Sequence, residues 1–172
     1  MKRGGKLLTS DQNVLFCNLV SEYRSRLFRI AKGILINNVD AEDAVSEAIY
    51  KAFVNFGKLR NVESFKSWII KILVNEAYNI ANKRKKLVPL EEDFVTEDYT
   101  SAIIDAFIMW DAIQLLKQDF RIVTILFYYE DMTIKEISNI LNIPEGTVNS
   151  RLDRSRQKLK QYFMKEGDLK YE

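Results

Sequence analysis

Four side chains near the end of the chain have the types and spacing to read the edges of nucleic-acid bases: Asn149, Ser150, Asp153 and Arg154. An Asn amide matches adenine, an Asp carboxylate accepts from cytosine, and an Arg guanidinium matches guanine. Laid out at about 100° per residue with Val148 at zero, these four fall at roughly 100–240°. Val148, Leu152, Ser155 and Leu159 fall within roughly 40° of zero, so one helix has an apolar back and a polar front. Arg151, Arg156, Lys158 and Lys160 lie on the flanks and further along, where phosphate contact is their natural role.

Other chemistries are poorly provided for. The chain has 172 residues, no histidine and one cysteine, Cys17, which is read as structural or inert. Imidazole bases, His-based triads and His metal sites are therefore excluded, as is an intrachain disulfide. No glycine cluster follows a strand-like run, so no phosphate loop is expected. The 24 acidic residues are spread over helical faces as solvated charge. No catalytic residue, metal site or cofactor is expected. A single cysteine, no apolar run of membrane-spanning length and no leader-like segment in "MKRGGKLLTS" point to a reduced, cytoplasmic protein without membrane insertion.

Net charge is only +2, but it is blocked along the chain. An acidic cluster (Asp40, Glu42, Asp43, Glu47) precedes a basic run (Lys83, Arg84, Lys85, Lys86). Acids recur from Glu91 to Asp98, and the last segment is basic. Blocks of alternating sign suit several different partners.

The elements that must position these groups are all helical. The fold class expected is all-α, with two small helical domains, 1–86 and 106–172, joined by a linker over 87–105 that holds Pro89 and acids with weak periodicity. Ser10 or Asp11 is placed at the cap of a first helix whose stripe runs from Leu15 to Leu35. Asp40 is placed at the cap of a second, with Ala41, Ala44, Val45, Ala48, Ile49, Ala52 and Phe53 inward. Gly57–Ser64 reads as a loop. A third helix runs from about Phe65 to Lys83, with Phe65, Trp68, Ile69, Ile72 and Leu73 inward. In the second domain, helices are expected around Ala106–Lys117 and Arg121–Glu130. Thr133 with Glu136 then forms a capping box, Asn142 a left-handed stop, Ile143 a plug between helices and Pro144 the entry to the basic helix. That is a helix-turn-helix.

Two further surfaces stand out in the first domain. Asp43, Ser46, Glu47 and Tyr50 share the outer side of the second helix, an acidic face suited to a basic protein. Lys71, Asn75, Tyr78, Asn79 and Asn82 line the polar side of the third, directly before the basic run. Amides, a ring and cations in one strip suit unstacked bases, and Lys58, Arg60 and Asn61 in the preceding loop suit a flipped one.

The stretches "DAEDAVSEAIYKAF", "FKSWIIKILVNEAYNIANKRKK" and "MTIKEISNILNIPEGTVNSRLDRSRQKL" together resemble the extracytoplasmic function sigma factors of the sigma-70 family. The resemblance spans about Leu15 to Phe163. It implies a first domain that binds the β′ clamp helices of bacterial core RNA polymerase and melts the −10 element. It implies a second that meets the β flap and binds the −35 element as duplex. By position it assigns Asp40, Asp43, Glu47, Tyr50 and Lys51 to polymerase. Lys58, Arg60, Asn61, Lys71, Asn75, Tyr78, Asn79, Lys83 and Arg84 go to the −10 strand. Thr147, Asn149, Ser150, Arg151, Asp153, Arg154 and Lys158 go to the −35 duplex, and Trp68 to packing. It further implies promoter DNA and a membrane-anchored or soluble anti-sigma factor as partners, and a stress-response role. Asn149 stands where a Lys or Arg is common in the family, Asn142 replaces its usual Gly, and Ser155 its usual Ala. Two readings compete with this one: a plain helix-turn-helix regulator that binds duplex without polymerase, and a protein-interaction adaptor.

Overall fold

The computed structural model describes residues 9–87 and 104–169, and every regular element among them is helical. The chain divides into two compact units, Met1–Arg84 and Lys85–Glu172.

The first unit is built on α1 (Ser10–Ile34), α2 (Asn38–Asn55) and α3 (Phe65–Leu87). The cap of α1 is Thr9 rather than Ser10 or Asp11. Its hydroxyl accepts from the Gln12 backbone N–H, while the Gln12 side chain accepts from the Thr9 N–H. This is a complete capping box one residue upstream of the expected cap. Asn37, not Asp40, caps α2, accepting from the N–H groups of Val39 and Asp40. An amide at this position leaves Asp40 one turn inside the helix, near its positive end.

Ala41, Ala44, Ala48 and Ala52 on α2 are all fully buried, and this small-residue face lets the neighbouring helices approach closely. Phe53, expected inward, is 41% exposed, because its neighbours Ala52 and Phe56 occupy the core direction. Phe65 opens α3 and is the hub of the aromatic core. Its ring lies 6.0 Å from Phe56, 6.1 Å from Phe16 and 5.9 Å from Tyr23. The Phe16 and Phe56 rings meet it edge-on, and such pairs each contribute about 0.5–1.5 kcal/mol beyond simple burial. Trp68 packs against Phe65 at 6.0 Å and is only half-buried. Cys17 is exposed, so it is not a core residue.

The expected loop over Gly57–Ser64 contains two short 3₁₀ turns, Phe56–Lys58 and Val62–Ser64. The first closes by the Leu59 N–H donating to the Phe56 carbonyl, and the second is capped by the Asn61 side chain, local bonds that periodicity does not register. The expected linker, 87–105, lies outside the described residues except at its two ends, where Leu87 ends α3 and Ile104 and Asp105 open the next helix.

The second unit comprises α4 (Ile104–Gln114), α5 (Gln118–Thr124), α6 (Ile134–Leu141) and α7 (Glu145–Leu169). The helix expected from Arg121 begins three residues earlier, at Gln118, and passes into a π-turn over Ile125–Tyr129. Arg121 is not a surface charge. It is buried, with Nε donating to the Leu116 carbonyl at 3.2 Å and Nη1 to Gln114 Oε1 at 3.3 Å. Burial pushes its pKa down, but a guanidinium stays charged there, and it satisfies the Leu116 carbonyl just beyond the end of α4.

Candidate nucleic-acid interface

The turn between α6 and α7 is held at four points. Thr133 and Glu136 form the capping box at the start of α6. Asn142 takes the left-handed conformation at φ 53° and ψ 47°. The Ile143 N–H donates to the Ser138 carbonyl at 3.2 Å, the six-to-one bond of a Schellman ending. The Ser138 hydroxyl returns to the Ile143 carbonyl at 2.6 Å. Ile143 itself is half-buried between the helices.

This turn sets the rotation of α7. Val148, Leu152 and Ser155 face the core at 0%, 1% and 0% exposure. Asn149, Ser150, Asp153 and Arg154 are all exposed, together, on the opposite side. Ser155 does more than fill space: its hydroxyl is shared between the Arg151 carbonyl at 2.8 Å and the Phe120 carbonyl at 3.2 Å, tying α7 to α5.

The flanking cations divide into two kinds. Lys158 and Lys160 are exposed. Arg151 is mostly buried and bound at 2.7 Å to Asp119 in the first turn of α5. Arg156 donates through Nε to the Tyr128 hydroxyl at 2.9 Å and through Nη1 to Asp153 Oδ1 at 2.5 Å. The Tyr128 hydroxyl, with Asp153, pushes its pKa further up. Thr147 is half-buried, and its carbonyl accepts from the Ser150 hydroxyl at 3.0 Å.

On the first unit, α3 exposes Lys71, Asn75, Asn79 and Lys83 along one side, with Tyr78 half-buried beside them. Arg60 is exposed, and Lys58 donates to Asn55 Oδ1 at 2.8 Å. Asn61 serves locally as a cap, its Oδ1 accepting from the Glu63 N–H at 2.9 Å. On α2, Asp43, Glu47 and Tyr50 are exposed. Lys51 bridges Glu76 at 2.7 Å and Glu47 at 3.3 Å, and the Glu76 hydrogen bond chiefly raises its pKa.

Two arrangements were invisible in the sequence. Asp40 and Arg84, assigned to two different partners, engage each other through a two-pronged pair at 2.5 and 2.7 Å. Asp40 is only 9% exposed, so it anchors α3 to α2 rather than standing open on the acidic face. A groove of about 630 Å³ between α2 and α3 is lined by Asp43, Ser46, Glu47, Lys51, Glu76, Asn79, Ile80 and Lys83. It brings the acidic face of α2 to the edge of the amide-and-cation strip of α3. Both depend on residues some 25 to 44 positions apart, which no local pattern registers.

Residues 19–87 match the family described as Sigma-70 region 2, and residues 106–159 match Sigma-70, region 4. The chain is 27% identical to the ECF RNA polymerase sigma factor SigW of Bacillus subtilis, over 92% of this chain and 94% of that one. It is 28% identical to the RNA polymerase sigma factor SigV of the same organism, over 88% and 93%. Among solved structures, the sigma factor RpoE of Bartonella quintana, in complex with the anti-sigma factor NepR, superposes with a TM-score of 0.71 at 24% identity, covering 87% of this chain and 96% of that one. CnrH, in complex with the cytosolic domain of CnrY, gives 0.61 at 19% identity, covering 86% of each.

Proposed function

Because the chain belongs to the sigma-70 family, as an extracytoplasmic function sigma factor, we propose that its two units grip one promoter at separate places. Residues 1–86 bind core RNA polymerase and capture the opened −10 strand. Residues 106–172 read the −35 element as duplex, with 87–105 as the connection. The observation that carries this division is the exposed quartet Asn149, Ser150, Asp153 and Arg154 over the buried back of Val148, Leu152 and Ser155. A recognition helix entering a major groove needs that arrangement.

The mechanism is differential binding, with no catalytic residue. Extruding a base from the stack costs a few kcal/mol. Amide contacts from Asn75 and Asn79, stacking on Tyr78 and phosphate contacts from Lys71 and Lys83 offset that cost only for the opened strand. The acidic face of Asp43, Glu47 and Tyr50 docks on a basic surface of polymerase, with Lys51 held between Glu47 of that face and Glu76 of α3. Among the described residues no helix is long and apolar enough to cross a membrane, and the site of action is the cytoplasm, where polymerase works. An anti-sigma factor holds the protein inactive, as the complexes of RpoE and CnrH suggest.

The test mixes the full chain with core polymerase on promoter fragments. Thymines of the −10 region should become reactive to permanganate only when both proteins are present. Duplex binding by the chain alone, with no unpaired bubble on any template in the presence of core enzyme, refutes the reading and supports a plain helix-turn-helix regulator.

A further inference from the structure

The Tyr128, Arg156 and Asp153 side chains form a relay across the junction between the π-turn and α7. Arg156 Nε donates to Tyr128 Oη at 2.9 Å, and Arg156 Nη1 donates to Asp153 Oδ1 at 2.5 Å. All three are open to solvent: Tyr128 is 50% exposed, and the Arg156 and Asp153 side chains 52% and 62%. An exposed pair of this kind adds little to fold stability. Its position is informative, because Asp153 is one of the four side chains on the front of α7.

A bare carboxylate is a poor reader of duplex DNA, since its charge is repelled by the phosphates on both sides of the groove. Paired with Arg156 through Oδ1, Asp153 carries little net charge locally and keeps Oδ2 to accept from a cytosine amino group. A free Arg156 would instead turn to the nearest phosphate. What prevents this is the second anchor on the same guanidinium, the Tyr128 hydroxyl. Tyr128 reaches α7 from the five-residue π-turn Ile125–Tyr129, and such turns recur at functional sites because they re-aim side chains off the regular helical path.

We propose that Tyr128 is a specificity-determining positioning residue for promoter recognition, acting through Arg156 to hold Asp153 in the state that reads a base. The proposal rests on the reading of α7 as the −35 interface. Its probe is a pool of duplex promoters randomised through the −35 element, bound by the full chain together with core polymerase and sequenced. Tyr128→Phe removes one oxygen and keeps the ring. It should lower the base preference at one −35 position by roughly three- to tenfold, the net worth of one ordinary hydrogen bond. Total affinity should stay within about twofold, since the released Arg156 gains a phosphate contact. In an Asp153→Ala background the same change should have no further effect on preference.

A structural role would weaken all sequences alike and leave the preference ratios untouched. A wild-type preference that Tyr128→Phe leaves intact, or alters equally with Asp153→Ala in place, overturns the relay alone. A wild-type chain with no preference anywhere in the −35 element overturns the reading of α7 and the relay with it.

Discussion

Breaking the Asp40–Arg84 pair tests whether Asp40 contacts polymerase or holds the first unit together. The Asp40 side chain is 12% exposed and that of Arg84 55%, and the two meet at 2.5 and 2.7 Å. Fully exposed pairs couple by about 0.2–1 kcal/mol. Removing one partner of a fully buried pair costs about 3–5 kcal/mol. With one partner buried and the other half in water, the coupling should be about 1–2 kcal/mol. Part of the cost of Arg84→Met is offset by the positive end of α2, which lies beside Asp40. The measurement is a double-mutant cycle with Asp40→Asn and Arg84→Met, unfolded in urea because guanidinium would screen the pair. Trp68 lies in the first unit and Trp110 in the second, so a Trp110→Phe background makes fluorescence report the first unit alone. Either single change should lower its thermal midpoint by about 5–10 °C. Asp43→Ala, at an exposed position lining the groove, should leave that midpoint unchanged and weaken polymerase binding. A coupling below about 0.3 kcal/mol would refute the anchoring argument. So would an Asp40→Asn chain of unchanged stability that no longer binds polymerase.

At the tip of the helix-turn-helix, Asn142→Ala should destabilise the second unit by about 1–2 kcal/mol, because a Cβ-bearing residue without local hydrogen bonding is strained at φ 53°; Asn142→Gly should be neutral or stabilising by urea melts. Asn149→Ala or Arg154→Ala should cost about 1–3 kcal/mol at particular −35 bases in competition binding, whereas Lys158→Ala should weaken all sequences alike and reduce the salt slope by about one. Lys51 has a raised pKa in the folded protein, so its contribution to stability is fully present below its ordinary value of 10.5 and is lost as pH rises through the folded value. The first unit should therefore weaken in alkaline melts above about pH 10.5, and Lys51→Met should flatten that limb.

The helix-turn-helix was legible because its determinants are local. Thr133 and Glu136 are three residues apart, Asn142 sits where a left-handed residue is needed, and Val148, Leu152 and Ser155 repeat at helical spacing. Short-range sterics and periodicity decide such features, so the rotation of α7 and its exposed front followed without coordinates. Helix ends were read less well. Thr9 and Asn37 are correct cap types, but Ser10, Asp11 and Asp40 are equally good ones nearby, and only the path of the backbone selects between them.

What tertiary structure alone decided is which charges are spent within the protein. Arg84, Arg151 and Arg156 look alike in a basic run or helix, yet they meet Asp40, Asp119 and Tyr128 across 44, 32 and 28 positions. Local spacing places a side chain on a face of its own helix. The partner on the facing helix is set by packing between elements, and that depends on core side chains such as Phe65 and the Ala41–Ala52 ladder rather than on the charges themselves.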